Sequence, residues 1–444
     1  MIRFLVALLL AGLALPLAAR QRSPQLSVET ARTILGELAA KQFEKVEAWF
    51  DDQMRAALPA GRLAQVWNQL EGQVGPFAEI RGVVVAGPGS RTVTLVCHFE
   101  RADLDALLTF DENGRLGGLH FRPAQQTPWA PPIYAQPNAF EETAVTVTTG
   151  RWQLPGTLAL PKGKGPFPAL VLVHGSGPND ADETVGANKP FKDLAWGLGS
   201  RGIAVLRYEK RTHKYGADSS DDPAHFTVND ETIDDARSAA ALLAARPEID
   251  SKRIFLLGHS LGGTLAPRIA AGDSAVTGII LMAGAVTPIE RLALDQVRFL
   301  AGGENPPEES ARKQLEATEQ GVKQIESPEL KIGANVNFLG ASTPASYWLD
   351  LRGYQPGRVA ATLRIPILVL QGGRDYQVPP SELDLWKKAL GNRKNATFLL
   401  LPALNHLFEA GARPSTPAEY LRPSHVDAGA IEAIAAWVKA QPGR

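Results

Sequence analysis

Ile254–Phe255–Leu256–Leu257–Gly258–His259–Ser260–Leu261–Gly262–Gly263 is the stretch that decides the fold. Four apolar residues run into a G-x-S-x-G, and a helical pattern begins just after Ser260. Strand, sharp turn and helix in that order hold a serine hydroxyl exposed at the end of a sheet. Gly258 and Gly262 allow packing around the turn that a side chain would obstruct, and Gly263 adds a third small residue where the helix nears its neighbours. A bare G-x-S-x-G is a weak pattern; the strand before it and the helix after it make it specific. The bland alternative is a glycine-rich turn that serves only helix–sheet packing.

Short apolar runs lie on either side. Ala169–His174 and Ala204–Tyr208 precede the serine; Ile279–Ala283, Ile367–Leu370 and Thr397–Leu401 follow it. Helical stretches around Phe191–Ser200 and Glu231–Ala245 alternate with them. Such strands, bounded by glycine and separated by helices, predict an α/β fold whose mostly parallel sheet is covered on both faces. Reactive groups then belong at the carboxyl ends of the strands. Residues 287–360 are too long for a loop and predict a helical cap inserted into the sheet order. Pro306–Pro307–Glu308–Glu309 reads as a helix start, and Ala311, Leu315, Thr318, Val322 and Ile325 form a thin apolar stripe. Tyr347 and Trp348 close the insert and either line an acyl or alcohol pocket or pack the cap.

A serine hydroxyl needs a base to take its proton. His406, in Leu404–Asn405–His406–Leu407–Phe408, lies just past the last expected strand and so on the correct edge of the sheet. His425 is the rival, in a polar stretch before the final helix. His98 and His120 belong to the N-terminal part, and His259 sits inside the turn with its side chain expected to point away from the serine. The base in turn needs an orienting carboxylate. Asp375 follows Gln371–Gly372–Gly373–Arg374 at the end of a strand; the alternative is an exposed loop aspartate paired with Arg374. Ser260, Asp375 and His406 occur in the chain order that accompanies this kind of turn. The developing oxyanion needs N–H donors. Leu261, directly after the nucleophile, supplies one, and Ser176 in the turn His174–Gly175–Ser176–Gly177–Pro178 is the expected second.

HGSGPNDAD (174–182), AVLRYEKR (204–211), GHSLGG (258–263), LVLQGGRDYQVP (368–379) and NHLF (405–408) together resemble the α/β-hydrolase superfamily, in particular its secreted bacterial esterase-like members. The resemblance covers residues 140–441 and implies that Ser260 is the nucleophile, Asp375 the orienter and His406 the base. One departure is visible: such members often follow the RYEKR segment with glycine, where this chain has Thr212. Residues 27–125 read as a small α+β domain. Ser27 is the expected cap of a helix carrying Ala31, Ile34, Leu35, Leu38 and Phe43, a second helix covers 60–73, and strand-like runs meet at the turn Asp111–Gly114. With FAEIRGVVVAG, VTLVCHFE and FDENGRLGGLHFRPA it is similar to a domain of unknown function that precedes such hydrolases. A Pro-rich linker, residues 126–139, separates the two.

The 444 residues carry 46 Lys+Arg against 47 Asp+Glu. That near balance argues against a nucleic-acid partner, which calls for a basic surplus. The lone cysteine, Cys97, excludes an intrachain disulfide and any Cys-based metal cluster. There is no H-E-x-x-H and no phosphate-binding loop, so neither a metal nor a cofactor is expected. Met1–Ile2–Arg3, the apolar run that follows and Ala18–Ala19 read as a signal peptide over residues 1–19. The chain is therefore expected to be exported to a periplasm or beyond, with no stable membrane insertion after cleavage; a retained anchor is the alternative. Taken together, these features predict a serine hydrolase that cleaves small or medium acyl esters through an acyl-enzyme, its partner a small-molecule ester. A serine peptidase or amidase is the enzymatic alternative, with a thioesterase behind it; a non-catalytic ligand-binding protein is the alternative of another class. Oligomeric state is not legible.

Overall fold

Alternation explains the central sheet. In Phe167–Val173, Leu170 and Leu172 enter one apolar layer while Ala169, Val171 and Val173 enter the other. Along the strand leading to Ser260, Phe255 and Leu257 face the first layer and Ile254 and Leu256 the second. Every one of these side chains is buried. At about 1.5–3 kcal/mol for each fully buried aliphatic side chain, the two faces pin the register.

The structure, a computed structural model, describes residues 24–85, 91–100, 102–124, 129–302, 309–391, 393–412 and 414–443. The expected signal peptide and residues Pro306–Glu308 lie outside the described residues. Among those described, no helix is long and apolar enough to cross a membrane. The chain divides into two units near residue 126.

In the first unit, four helices (Pro24–Ala39, Phe43–Ala48, Asp52–Ala57 and Arg62–Val74) accompany an antiparallel sheet in chain order: β1 (Phe77–Val85), β2 (Thr92–Phe99), β3 (Ala102–Phe110) and β4 (Leu116–Pro123). The first helix begins at Pro24, so Ser27 lies within it and is not its cap. Its Ala31, Ile34, Leu35 and Leu38 pack with Val93, Leu95, Cys97 and Phe99, the buried alternate residues of β2. Burial pushes the Cys97 thiol up to about 12, which leaves it a core residue rather than a nucleophile. The turn after β3 is held by Asp111 Oδ1, which accepts from the N–H groups of Asn113 and Arg115.

The second unit contains β5 (Phe140–Thr149), β6 (Trp152–Pro161), β7 (Phe167–Val173), β8 (Ala204–Tyr208), β9 (Ile249–His259), β10 (Gly278–Met282), the ribbon β11 (Asn335–Phe338) and β12 (Ala341–Pro344), β13 (Ile367–Gly372) and β14 (Ala396–Leu401). Eight of these form one sheet in the order β14-β13-β10-β9-β7-β8-β6-β5. From β8 to β14 all neighbours are parallel; β5 and β6 are antiparallel additions at one edge. The pattern of apolar runs does not predict β5 and β6. Glu141–Ala144 of β5 are exposed on both faces of the strand, so β5 lacks the continuous apolar run that marks the inner strands. Helices Pro190–Gly199 and Ala428–Ala440 cover one face, and Asp234–Ala244 and Leu261–Ala271 the other.

The Pro-rich segment packs where it is described. Trp129 Nε1 donates to Asp193 Oδ1 at 2.8 Å, and the ring meets Trp196 edge-on at 4.9 Å. Between β10 and β13 come helices Ile289–Ala301, Glu309–Glu326, Ala345–Arg352 and Pro356–Thr362, together with the β11–β12 ribbon that the helical expectation did not include. The apolar stripe of the second helix is buried at Thr318, Val322 and Ile325. This insertion touches the carboxyl edge of the sheet: Phe299 stacks on Tyr376 at 5.2 Å, and Gln296 Nε2 donates to Gln377 Oε1 at 3.2 Å.

Candidate active site

Ser260 stands between β9 and helix Leu261–Ala271 with φ 53° and ψ −117°, a conformation that non-glycine residues rarely adopt. A strained backbone of this kind costs about 1–3 kcal/mol. The surroundings enforce it. The Ser260 N–H donates to Met282 O at 2.9 Å, and Ser260 O accepts the Thr264 N–H at 2.9 Å. The neighbouring glycines are obligatory for a reason that can be measured. A Cβ on Gly258 would lie 2.2 Å from Gly262 O, and one on Gly262 2.2 Å from Val173 O. The sharp turn therefore lifts the serine out at the carboxyl edge, and Ser260 remains partly accessible.

Asp375 and His406 meet there from the ends of adjacent strands. The loop after β13 carries the aspartate, and the loop after β14 carries the histidine. His406 Nδ1 lies 2.7 Å from Asp375 Oδ2, with both side chains buried. The carboxylate faces donors at each of its contacts. Oδ2 also accepts from Gln371 Nε2 at 3.3 Å, while Oδ1 accepts the N–H groups of Gln377 (2.8 Å) and Val378 (2.9 Å). Facing a carboxylate, Nδ1 must carry a proton, which leaves Nε2 as the free lone pair. Among the described residues no hydrogen bond joins the Ser260 hydroxyl to that nitrogen. Such contacts often tighten only when substrate binds.

His259 was given no task by the sequence, yet it ties the serine turn to His406. Its ring lies 4.7 Å from that of His406, and its Nε2 donates to His406 O at 2.9 Å. Its Nδ1 lies 2.9 Å from Glu183 Oε2. Nε2 faces a carbonyl and so carries a proton, while Nδ1 makes an ion-pair contact with the Glu183 carboxylate in which neither Nδ1 nor Oε2 meets hydrogen-bond geometry. Burial alone would lower the histidine, but the Glu183 charge raises it; the same pairing, against burial, holds Glu183 below the usual carboxylate range. Glu183 Oε1 also accepts the Gly175 N–H at 2.6 Å. That N–H is consumed, and the next N–H groups of that turn belong to Ser176 and Gly177, both exposed. No hydrogen bond among the described residues takes the Ser176 N–H, and Leu261, first in its helix, has no intrahelical acceptor.

Removing one member of a buried ion pair costs about 3–5 kcal/mol, because its partner is left charged and unpaired. Glu183→Gln is expected to lose that much in urea unfolding. The depressed value of Glu183 contributes stability above about pH 4.5 that disappears as pH falls through it. The raised value of His259 contributes below about pH 6.5 and is lost as pH climbs through it. The penalty of Glu183→Gln should therefore be largest between those limits and shrink on either side. A penalty that does not vary with pH would contradict the pairing.

The other candidates fall elsewhere. His425 Nδ1 pairs with Asp193 at 3.0 Å, and Arg374 bonds Glu419. Tyr347 and Trp348 are both buried. The Tyr347 ring stacks on Phe226, its hydroxyl donates to Glu231 at 2.7 Å, and Trp348 packs edge-on against Phe338. An open cavity of about 750 Å³ is lined by Asp375, Tyr376, Gln377, Phe299 and Pro402 among others. Neither Ser260 nor His406 lines it, so it borders the candidate site without containing either of them. Among the described residues, no group of three His, Cys, Asp or Glu side chains is arranged to hold a metal ion.

Residues 170–421 match a family described as "Alpha/beta hydrolase family", and residues 31–119 match a "Protein of unknown function (DUF3887)". Esterase EstD of Thermotoga maritima is 40% identical over 405 residues, which is 90% of this chain and 92% of that protein. Among solved structures, Est1E from Butyrivibrio proteoclasticus aligns at 15% identity over 67% of this chain and 99% of its own, with a TM-score of 0.45. A Pyrococcus furiosus esterase aligns at 16% over 70% and 97%, with a TM-score of 0.44.

Proposed function

The chain belongs to the alpha/beta hydrolase family, and we propose that within it the protein is a carboxylic-ester hydrolase acting through an acyl-enzyme on Ser260. The observation that carries this reading is the 2.7 Å contact of His406 Nδ1 with Asp375 Oδ2, at the sheet edge where the strained Ser260 turn stands. The likeness to an esterase over nine-tenths of the chain supports the ester rather than another acyl bond. Ser260 Oγ attacks the ester carbonyl while His406 Nε2 takes its proton. The negative charge gathers on the carbonyl oxygen, facing the N–H groups of Leu261 and Ser176. The ester's alcohol leaves with the proton from His406. Water then gives a proton to His406 as it attacks the acyl carbon; the adduct collapses, the acid departs, and His406 returns that proton to Ser260 Oγ, which regenerates the free serine. Asp375 holds the imidazole in the required tautomer and stabilises its charge.

The reading is tested by labelling with a fluorophosphonate probe and by turnover across p-nitrophenyl esters of increasing acyl length, beside aminoacyl amides and thioesters. Small and medium acyl esters are expected to be turned over, with amides at least about a hundredfold slower per active site. Amides cleaved faster than esters would make the protein a peptidase. Equilibrium binding with neither labelling nor turnover would make it a binder.

A further inference from the structure

The peptide that carries the Ser176 N–H is gripped from the far side by a buried lysine. Gly175 O accepts from Lys210 Nζ at 2.7 Å and from Asn179 Nδ2 at 3.2 Å. Lys210 is only 2% exposed. Its ammonium also donates to Glu231 Oε1 at 2.6 Å, and Glu231 Oε2 accepts the Tyr347 hydroxyl at 2.7 Å. Tyr347 belongs to helix Ala345–Arg352 of the insertion between β10 and β13. A continuous buried chain of bonds therefore runs from the insertion, through Glu231 and Lys210, to the turn after β7.

Peptide geometry gives this chain its meaning. In a trans peptide the C=O of one residue and the N–H of the next point in opposite directions. With its carbonyl drawn to Lys210, the Gly175–Ser176 peptide must aim the Ser176 N–H the other way. Gly175 itself abuts the nucleophile, since a Cβ built there would lie 3.2 Å from Ser260 Cβ. The charged donor makes the shorter of the two bonds to the carbonyl, and charge-assisted bonds of this kind are the stronger class. A buried lysine–glutamate pair is, moreover, poor material for stability alone, because an apolar pair of the same size packs as well without desolvation. Such a pair makes physical sense where a direction has to be held.

We propose that Lys210, oriented by Glu231 and Tyr347, is a positioning residue that holds the Gly175–Ser176 peptide with its N–H toward the oxyanion, and so couples the seating of the insertion to acyl transfer. The proposal rests on the ester-hydrolase reading of the site. Tyr347 is then the cap's end of a positioning relay rather than a wall of the acyl pocket.

The test uses the full chain with Lys210→Met and Tyr347→Phe. It measures kcat and KM for p-nitrophenyl acetate and the inhibition constant of a trifluoromethyl ketone, whose serine adduct places an oxyanion at the same donors. Losing the aim of one donor is expected to lower kcat roughly a hundredfold in Lys210→Met and about tenfold in Tyr347→Phe. KM should stay within about twofold, and the ketone's inhibition constant should rise in step with the loss of kcat. Tyr347→Phe, which removes one oxygen, keeps the test decisive if Lys210→Met does not fold. Unchanged kcat in Tyr347→Phe, or a rise in KM alone, overturns the relay while leaving the esterase standing. A wild-type chain that neither turns over esters nor labels at Ser260 sinks the esterase reading instead. A crystal structure of Lys210→Met, or of Tyr347→Phe if the former does not fold, then decides the clamp: a reoriented Gly175–Ser176 peptide upholds it, and an unmoved one overturns it.

Discussion

Ser260→Ala is expected to lower kcat for p-nitrophenyl acetate by about a hundred-thousandfold to a millionfold and to abolish fluorophosphonate labelling. Alanine keeps the Cβ, so the strain at φ 53° is the same in both proteins and the fold should survive. The turn is secured by backbone contacts, Ser260 N–H to Met282 O and Thr264 N–H to Ser260 O, which the substitution leaves in place. The loss should therefore be chemical, with an unfolding midpoint close to that of the wild type. Adding His406→Ala to Ser260→Ala should cost little more, because the base has no work without the nucleophile. Labelling that persists in Ser260→Ala would place the nucleophile elsewhere and end the assignment.

Asp375→Asn carries the second large effect, on the order of a thousandfold to ten-thousandfold in kcat. Every contact of this carboxylate is with a donor: His406 Nδ1, Gln371 Nε2 and the N–H groups of Gln377 and Val378. An amide can offer only one oxygen to that set. With its oxygen kept on the two backbone N–H groups, its NH2 faces His406 Nδ1, which must then accept. The imidazole proton moves to Nε2, and the nitrogen that should take the serine proton no longer can. KM for the ester should change far less than kcat, since the defect lies in the tautomer. Equal losses in Asp375→Asn and Asp193→Asn would favour His425, whose partner is Asp193.

The candidate reacting residues were legible because each sits in a local pattern. Ser260 is marked by its glycines, and Asp375 and His406 each follow a short apolar run that became a strand, β13 and β14. The inner strands were legible for the same reason: burial on both faces writes a continuous apolar run. The β5–β6 hairpin was not, because its exposed glutamates and threonines resemble a loop. The partners of the site were less legible still. Glu183 lies in a loop after β7 and His259 on β9; Lys210 follows β8, Glu231 lies in the π-helical turn Asn229–Ile233, and Tyr347 lies in the insertion. Nothing near any of them in the chain names its partner.

That division has a physical cause. The demand for glycine around Ser260 is steric and short-ranged, and the alternation of the strands follows from the pleat, so both are written in consecutive residues. Consecutive residues alone therefore specify the parallel sheet, the strained turn at Ser260 and the order Ser260, Asp375, His406 along the chain. The pairing of a buried charge is different, since it depends on which loops the strand order brings to one edge, and the desolvation of an unpaired ion enforces it only after the chain has closed. Only the tertiary structure decided that Glu183 would hold His259 against His406, and that Lys210 would grip the peptide beside Ser260.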